Sequence, residues 1–351
     1  MATDLTQQSA ASDAARQARR RRRTERVWLP MGFLAPTLIL LFTFDVYPLL
    51  LGGWISLWRW GIRAQEFVGL DNYRRMVESL GVGPGEGEVG NSLLVTFFYS
   101  VGVVPVTLAL SFLVANMLFA KIRGLTFLRT AYFLPFITST VAAGLAFGFL
   151  FNPQIGVLNG ALQAVGLPAQ TWLLDADPVV PKALGAIGVG WSDSFPAILG
   201  GPSVALLCVM VFSVWNTLGF GVVILLAGLV AINPEVHEAA RIDGANAWKM
   251  ATRITLPLLS PTLFFLLVVS TIRSFQSFNE VYVLTSGGGY GAGAGSPLDT
   301  TLTLPVLVFR YLYQRPDSVG YSAALSMLLF LLLLAVTLLQ FRVAERKVHY
   351  N

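Results

Sequence analysis

Six long apolar runs divide the chain, at roughly 31–54, 91–118, 127–151, 203–231, 257–282 and 321–341. Each reaches or exceeds the ~20 residues that carry a helix across a ~30 Å hydrocarbon core. The apolar positions are continuous within each run. Outer-membrane strands instead alternate over ~10 residues, so a barrel is excluded. In hydrocarbon every backbone N–H and C=O must pair internally, which makes each run a helix. The pattern predicts an all-α integral membrane fold with six transmembrane helices. Pro105 and Pro135 fall inside runs and are expected to kink them.

The polar positions orient these spans. Lys and Arg gather in the N-terminal arm, the second and fourth loops and the tail, sixteen in all, against seven in the remaining loops. Cytoplasmic loops carry the excess of Lys and Arg, so both termini are expected in the cytoplasm. The predicted organisation is a basic arm over 1–28, a six-span domain over 29–345 and a short tail over 346–351. The arm "RQARRRRRTER" suits anionic lipid headgroups as a topology anchor rather than nucleic acid. It is not expected to be a cleavable signal, because the apolar run behind it is of full membrane length. The whole chain is 55% hydrophobic and 12% charged, where soluble domains carry about 25% charged residues. One cysteine allows no intrachain disulfide, and with two histidines no buried metal site is expected.

The fourth loop, 232–257, is more elaborate than a connector requires. Asn233 suits a helix cap, Pro234 the first helical position and Glu235 the positive helix start. Gly244 suits a left-handed stop. A second short helix, "NAWKMATRIT", is expected to reach Leu256 before Pro257. Val236, Ala239 and Ala240 share one face, and Glu238 and Arg241 stand close enough to pair. On chemistry alone the loop is either a rigid connector against headgroups or a docking element for a cytoplasmic partner.

"EAARIDGANAWKMATRITLP" resembles the EAA loop of the permease subunits of bacterial ABC importers. Glu238, Ala239, Ala240, Asp243, Gly244, Ala245, Ile254, Leu256 and Pro257 match that pattern. Where the family usually has Phe, this chain has Ala251, with Trp248 nearby. "RTAYFLPFITSTVAAGLAFGFLFNP", "GVLNGALQAVGLP" and "FQSFNEVYVLTSGG" are similar to segments of the carbohydrate-type members, which include glycerol-phosphate systems. The resemblance runs from about Pro36 to Arg342. It implies a multi-pass permease of the bacterial cell membrane that pairs with a second, related permease, two ATPase subunits and an extracytoplasmic solute-binding protein. In such a complex the ATPase would hold ATP and Mg, and Glu238, Ala239, Ala240, Asp243, Gly244, Ala245 and Pro257 would couple to it. Two outer insertions, near 174–201 and 289–299, depart from the family.

The chain carries no GxxxxGK[ST], G-x-S-x-G or HExxH motif. Neither catalysis nor a resident cofactor is expected. Arg273, Gln276 and Glu280 recur at offsets of 3 and 7, which would align them on one helical face of the fifth span. Phe278 and Tyr282 flank that face, with Asn279 beside it. Charges at membrane depth usually face a cavity or a partner. The three can line a substrate pathway, pair with one another or a neighbouring helix, or snorkel to the outer surface. In the fourth span, Trp215 suits packing and Asn216 an interhelical hydrogen bond. A sugar would suit polar groups set beside aromatic faces. With a glycerol phosphate, the alternative, Arg273 would meet the phosphate. A membrane enzyme or scaffold is the remote third reading.

Overall fold

A computed structural model describes residues 31–61, 63–81, 87–119, 124–192, 196–286, 293–315 and 317–344. The basic arm, the tail over 346–351 and the loop stretch 287–292 lie outside the described residues. The chain divides into two compact units, 1–55 and 56–351. Among the described residues the first unit contributes one helix, α1 (Met31–Ile55), with a π turn over Phe42–Val46 that includes Asp45. None of its side chains is buried within the chain. Such a surface is what lipid solvates.

The second unit opens on a short antiparallel hairpin, β1 (Trp58–Trp60) and β2 (Ala64–Phe67), paired from Trp58 against Phe67. Helix α2 (Asp71–Glu78) follows. Its Asn72 amide donates to the carbonyls of Ser56 and Trp58 at 2.8 and 3.1 Å, which holds the hairpin to the helix. Then come α3 (Glu88–Phe119), α4 (Leu125–Ile137), α5 (Thr140–Leu150), α6 (Val157–Ala164), α7 (Val179–Ala186) and α8 (Val204–Ala231). The chain continues through α9 (Pro234–Ile242), α10 (Ala247–Leu258), α11 (Ser260–Phe275), α12 (Asn279–Ser286), α13 (Leu304–Phe309) and α14 (Val319–Ala344).

Four of these helices, α1, α3, α8 and α14, are each long and apolar enough to cross a membrane. Pro105 sits within the unbroken span of α3. The other two expected spans are not single helices. α4 and α5 meet at a 95° bend, and α10 and α11 at a 73° bend. Counting each bent pair once restores six. The run over 257–282 is therefore the end of α10, all of α11 and the start of α12.

Both bends have local causes. Pro261 in the first turn of α11 cannot donate to the helix before it, and its ring crowds the carbonyl four residues back. Pro135 lies in the last turn of α4, after which Thr138 is extended. The carbonyl of Pro135 is taken by the Asn216 amide at 3.0 Å, so the helix end is satisfied from α8.

Two apolar cores hold the second unit. One gathers Phe212 and Leu206 of α8, Val281 and Leu284 of α12, Leu304 and Leu307 of α13, and Leu325 of α14. The other joins Leu118 of α3, Leu225 and Leu229 of α8, Leu259, and Leu266 of α11. Between them α3, α8 and α11 leave a gap.

Candidate functional site

That gap is a cavity of about 410 Å³, within the range of small-molecule sites. Its walls come from α3, the α4–α5 bend, α8 and the junction of α11 with α12. Sequence periodicity places Arg273, Gln276 and Glu280 on one continuous helix, and the structure corrects this. α11 ends at Phe275, Gln276 is its C-cap, and α12 begins at Asn279. The three side chains still line the same cavity, together with Phe278 and Asn279. Polar residues at 274–279 offer the backbone alternative partners. The freed carbonyl of Ser277 is met by the Thr303 hydroxyl at 3.1 Å, from 26 residues away.

Arg273 and Glu280 do not pair. The Arg273 guanidinium lies over two rings, 5.3 Å from the centroid of Phe136 and 4.9 Å from that of Phe220, and those rings stack at 5.2 Å. Glu280 accepts a hydrogen bond from Ser277 Oγ at 3.1 Å and sits in the first turn of α12. There the positive end of the helix favours a carboxylate. Tyr99, whose hydroxyl donates to Ser213 Oγ at 2.7 Å, adds a phenol to the lining, and Thr140, Thr217 and Ser270 add hydroxyls. Asn216 lines the cavity while holding Pro135. Trp215 does not reach the cavity and packs on Phe147 at 4.9 Å. Tyr282 is also outside it, stacked on Phe278 at 5.1 Å.

The loop over 232–257 is two helices at a tight turn. Asn233 Oδ1 accepts from Glu235 N–H at 3.1 Å, and Pro234 is the first helical residue. Gly244 has φ +76°. Ala245 N–H donates to Ala240 C=O at 2.9 Å and Gly244 N–H to Arg241 C=O at 3.1 Å, the two bonds of a Schellman cap. Asn246 then caps α10 by accepting from Lys249 N–H at 2.8 Å.

The expected pair of Glu238 with Arg241 does not form; both side chains are exposed, and neither takes part in an ion pair among the described residues. Ala240 is buried and Ala239 exposed. Pro257 lies within α10 rather than ending it. Ile242 and Trp248 flank the turn at 86% and 71% exposure. A solvent-facing Ile and Trp on one turn mark a surface that another protein can cover. Sequence reasoning passed over Ile242, whose signal was an apolar residue beside the Gly244 cap.

The chain matches the model of the binding-protein-dependent transport system inner membrane component family over residues 80–349. It belongs to that family. This permease is 31% identical to the sn-glycerol-3-phosphate transport system permease protein UgpA of Agrobacterium fabrum, over 92% of this chain and 97% of the relative. It is 30% identical to the trehalose/maltose transport system permease protein MalF of Thermococcus litoralis, over 90% and 94%. Its fold is similar to a chain of a bacterial ABC transporter involved in the import of the acidic polysaccharide alginate. The TM-score there is 0.69, with 21% identity and 93% and 99% coverage. A second, similar match is to that transporter in complex with a periplasmic protein bound to an alginate pentasaccharide. This permease is accordingly a multi-pass inner-membrane transport component rather than an enzyme.

On the permease's other polar cluster, Arg315 donates to Glu88 at 2.5 Å, Tyr311 donates to the same carboxylate at 2.6 Å, and Arg310 forks onto Asp299 at 2.6 and 3.1 Å. The hydrogen bond to Asp299 raises the Arg310 pKa, and burial raises that of Tyr311, with Glu88 adding to it. This network ties the start of α3 to the segment after α13. In the insertion near 174–201, Lys182 pairs with the buried Asp175.

Proposed function

We propose that this permease passes a neutral sugar, mono- or oligosaccharide, through the cavity between α3, α8 and α11. The single observation that carries the reading is the engagement of Arg273 by Phe136 and Phe220. Beside that stacked guanidinium, the polar groups lining the space are amides, hydroxyls and one carboxylate. Sugar hydroxyls both donate and accept, which suits Asn279, Gln276 and Glu280 at once. A phosphate would be met by the edge N–H groups of a guanidinium whose charge is already shared with two ring faces, and it would meet Glu280 as a like charge. The second reading, a glycerol phosphate, is favoured by the similarity to the UgpA protein.

In the proposed assembly this chain is paired with a second, related permease. Two ATPase subunits, which hold ATP and Mg, dock on the loops at Glu238, Ala239, Ala240, Asp243, Gly244, Ala245 and Pro257. A solute-binding protein delivers sugar outside. Both termini face the cytoplasm, the six spans over 29–345 form the transport domain, and the basic arm rests on anionic lipid. ATP binds the closed ATPase pair better than the open one, and that difference shifts the permease pair between inward- and outward-facing states. The exposed Ile242 and Trp248 support the docking role.

The test is ATP-driven uptake into proteoliposomes by the reconstituted complex with its binding protein, with radiolabelled glucose, lactose, maltose and trehalose against glycerol-3-phosphate. Uptake of a sugar alone supports the proposal. Uptake of glycerol-3-phosphate alone overturns it in favour of the second reading.

A further inference from the structure

Four aromatic rings run from the cavity to the protein surface. Phe278 lines the cavity and contacts Phe309 with centroids 5.0 Å apart; Phe309 contacts Tyr313 at 4.9 Å; Tyr282 flanks both, 5.1 Å from Phe278 and 5.2 Å from Phe309. Tyr313 is 72% exposed, and the other three are half-buried. None of the four belongs to the fully buried core. We infer that these rings form a track on which the C–H faces of a pyranose ring stack on the way between the outer surface and the cavity, with Tyr313 as its outermost step. This rests on the sugar reading above and adds Phe309 and Tyr313 to the substrate path.

Three features make the row a built surface. First, α13 runs into a π turn over Arg310–Gln314. Such turns are rare and recur at functional sites. This one sets Phe309 and Tyr313 in ring contact one turn apart. Second, the opposite side of the same turn is fixed: Arg310 to Asp299, and Tyr311 and Arg315 to Glu88. Third, the track is joined to the cavity by hydrogen bonds between threonine hydroxyls and the backbone. Thr303 Oγ1 donates to the Ser277 carbonyl, and Leu304 N–H donates to Thr96 Oγ1 at 2.9 Å. Phe278 and Phe309 are therefore held in register. A row of aromatic rings with no charged side chain among them offers a phosphate only two tyrosine hydroxyls, and a sugar ring a continuous stacking face.

The experiment compares Tyr313→Phe and Tyr313→Leu, with Phe309→Leu as a second site, in the complete complex reconstituted with its ATPase and binding protein. Uptake of whichever of glucose, lactose, maltose or trehalose the unmodified complex carries is read beside ATP hydrolysis in the same vesicles. Phe keeps the ring and loses the hydroxyl. Leu keeps an apolar surface and loses the ring. The expected result is sugar moved per ATP unchanged in Tyr313→Phe and about 3- to 10-fold lower in both Leu variants, with ATP hydrolysis retained, since an aromatic contact is worth about that factor. Equal sugar per ATP in Tyr313→Leu and Tyr313→Phe overturns the track and leaves the sugar reading standing. A parallel fall of uptake and ATP hydrolysis in the Leu variants also overturns it, because that marks a structural role. If the unmodified complex carries none of the four sugars, the sugar reading fails and the track fails with it.

Discussion

Substitution of Gly244 separates backbone conformation from side-chain contact in the loop over 232–257. A Cβ built at Gly244 meets no atom within 4 Å. The whole cost of a side chain is therefore conformational, at φ +76°. For Ala that cost is about 1–2 kcal/mol, which lowers the population of the observed turn by up to about 5- to 30-fold. Asn enters the left-handed region far more readily than other side chains, and a β-branched residue is an outlier there. The expected order of function is Gly near Asn, then Ala, then Val. The assay is the amount of ATPase retained on the tagged, purified permease, read together with ATP-driven uptake. The Schellman bonds from Gly244 and Ala245 unwind first, and Ile242 and Trp248 lose their fixed spacing. Val at the level of Gly would refute the reasoning outright. Asn as damaging as Val would show that bulk in the docking surface, and not backbone conformation, is what matters.

Three further outcomes follow from distances in the second unit. Gly219→Val puts a Cβ 2.2 Å from the Tyr132 carbonyl and 3.0 Å from Phe133 Cα, so α4 and α8 must separate; a loss of about 1–3 kcal/mol is expected as a lower Tm in detergent. Arg273→Gln keeps a donor and removes the charge, so uptake of a neutral sugar should fall only a few-fold while any uptake of glycerol-3-phosphate should nearly vanish. Glu88→Gln leaves Arg315 and Arg310 without a carboxylate at the start of α3 and should lower stability by about 1–3 kcal/mol, read as a Tm shift that a second change, Arg315→Gln, reduces.

The six crossings were legible because lipid imposes a length and a composition on every span, and continuous apolar runs such as 203–231 record both. The cap at Gly244 was legible for a similar reason: Asn233, Pro234 and Gly244 act within their own turns. The breaks were not. Pro135 signals a kink, but the bend falls at Thr138, because the partner for the freed carbonyl is Asn216 on another helix. The end of α11 at Gln276 has no Pro or Gly to announce it, and Thr303, far along the chain, completes it. For the candidate site the outcome is mixed. Arg273, Gln276, Phe278, Asn279, Glu280 and Asn216 do line the cavity, yet the helical face that predicted three of them does not exist. Trp215 and Tyr282 sit just behind. Phe309 and Tyr313 could not be read at all, since the contact of Phe309 with Phe278, through which Tyr313 joins the row, comes from tertiary packing.

The break between α11 and α12 makes the cavity wall a joint. Arg273 and Gln276 ride on the piece that is continuous in chain with α10 and the Gly244 turn. Asn279 and Glu280 ride on the other piece, α12, anchored through Ser277 to Thr303 and α13. On the proposed coupling, a thrust along α10 would turn through the 73° bend into α11 and reach Arg273 and Gln276 first, sliding that pair of polar groups past the other without tilting α12. Grip on a solute would then loosen or tighten by shear across three residues, where an α11 unbroken into α12 would have carried the motion along the whole cavity wall.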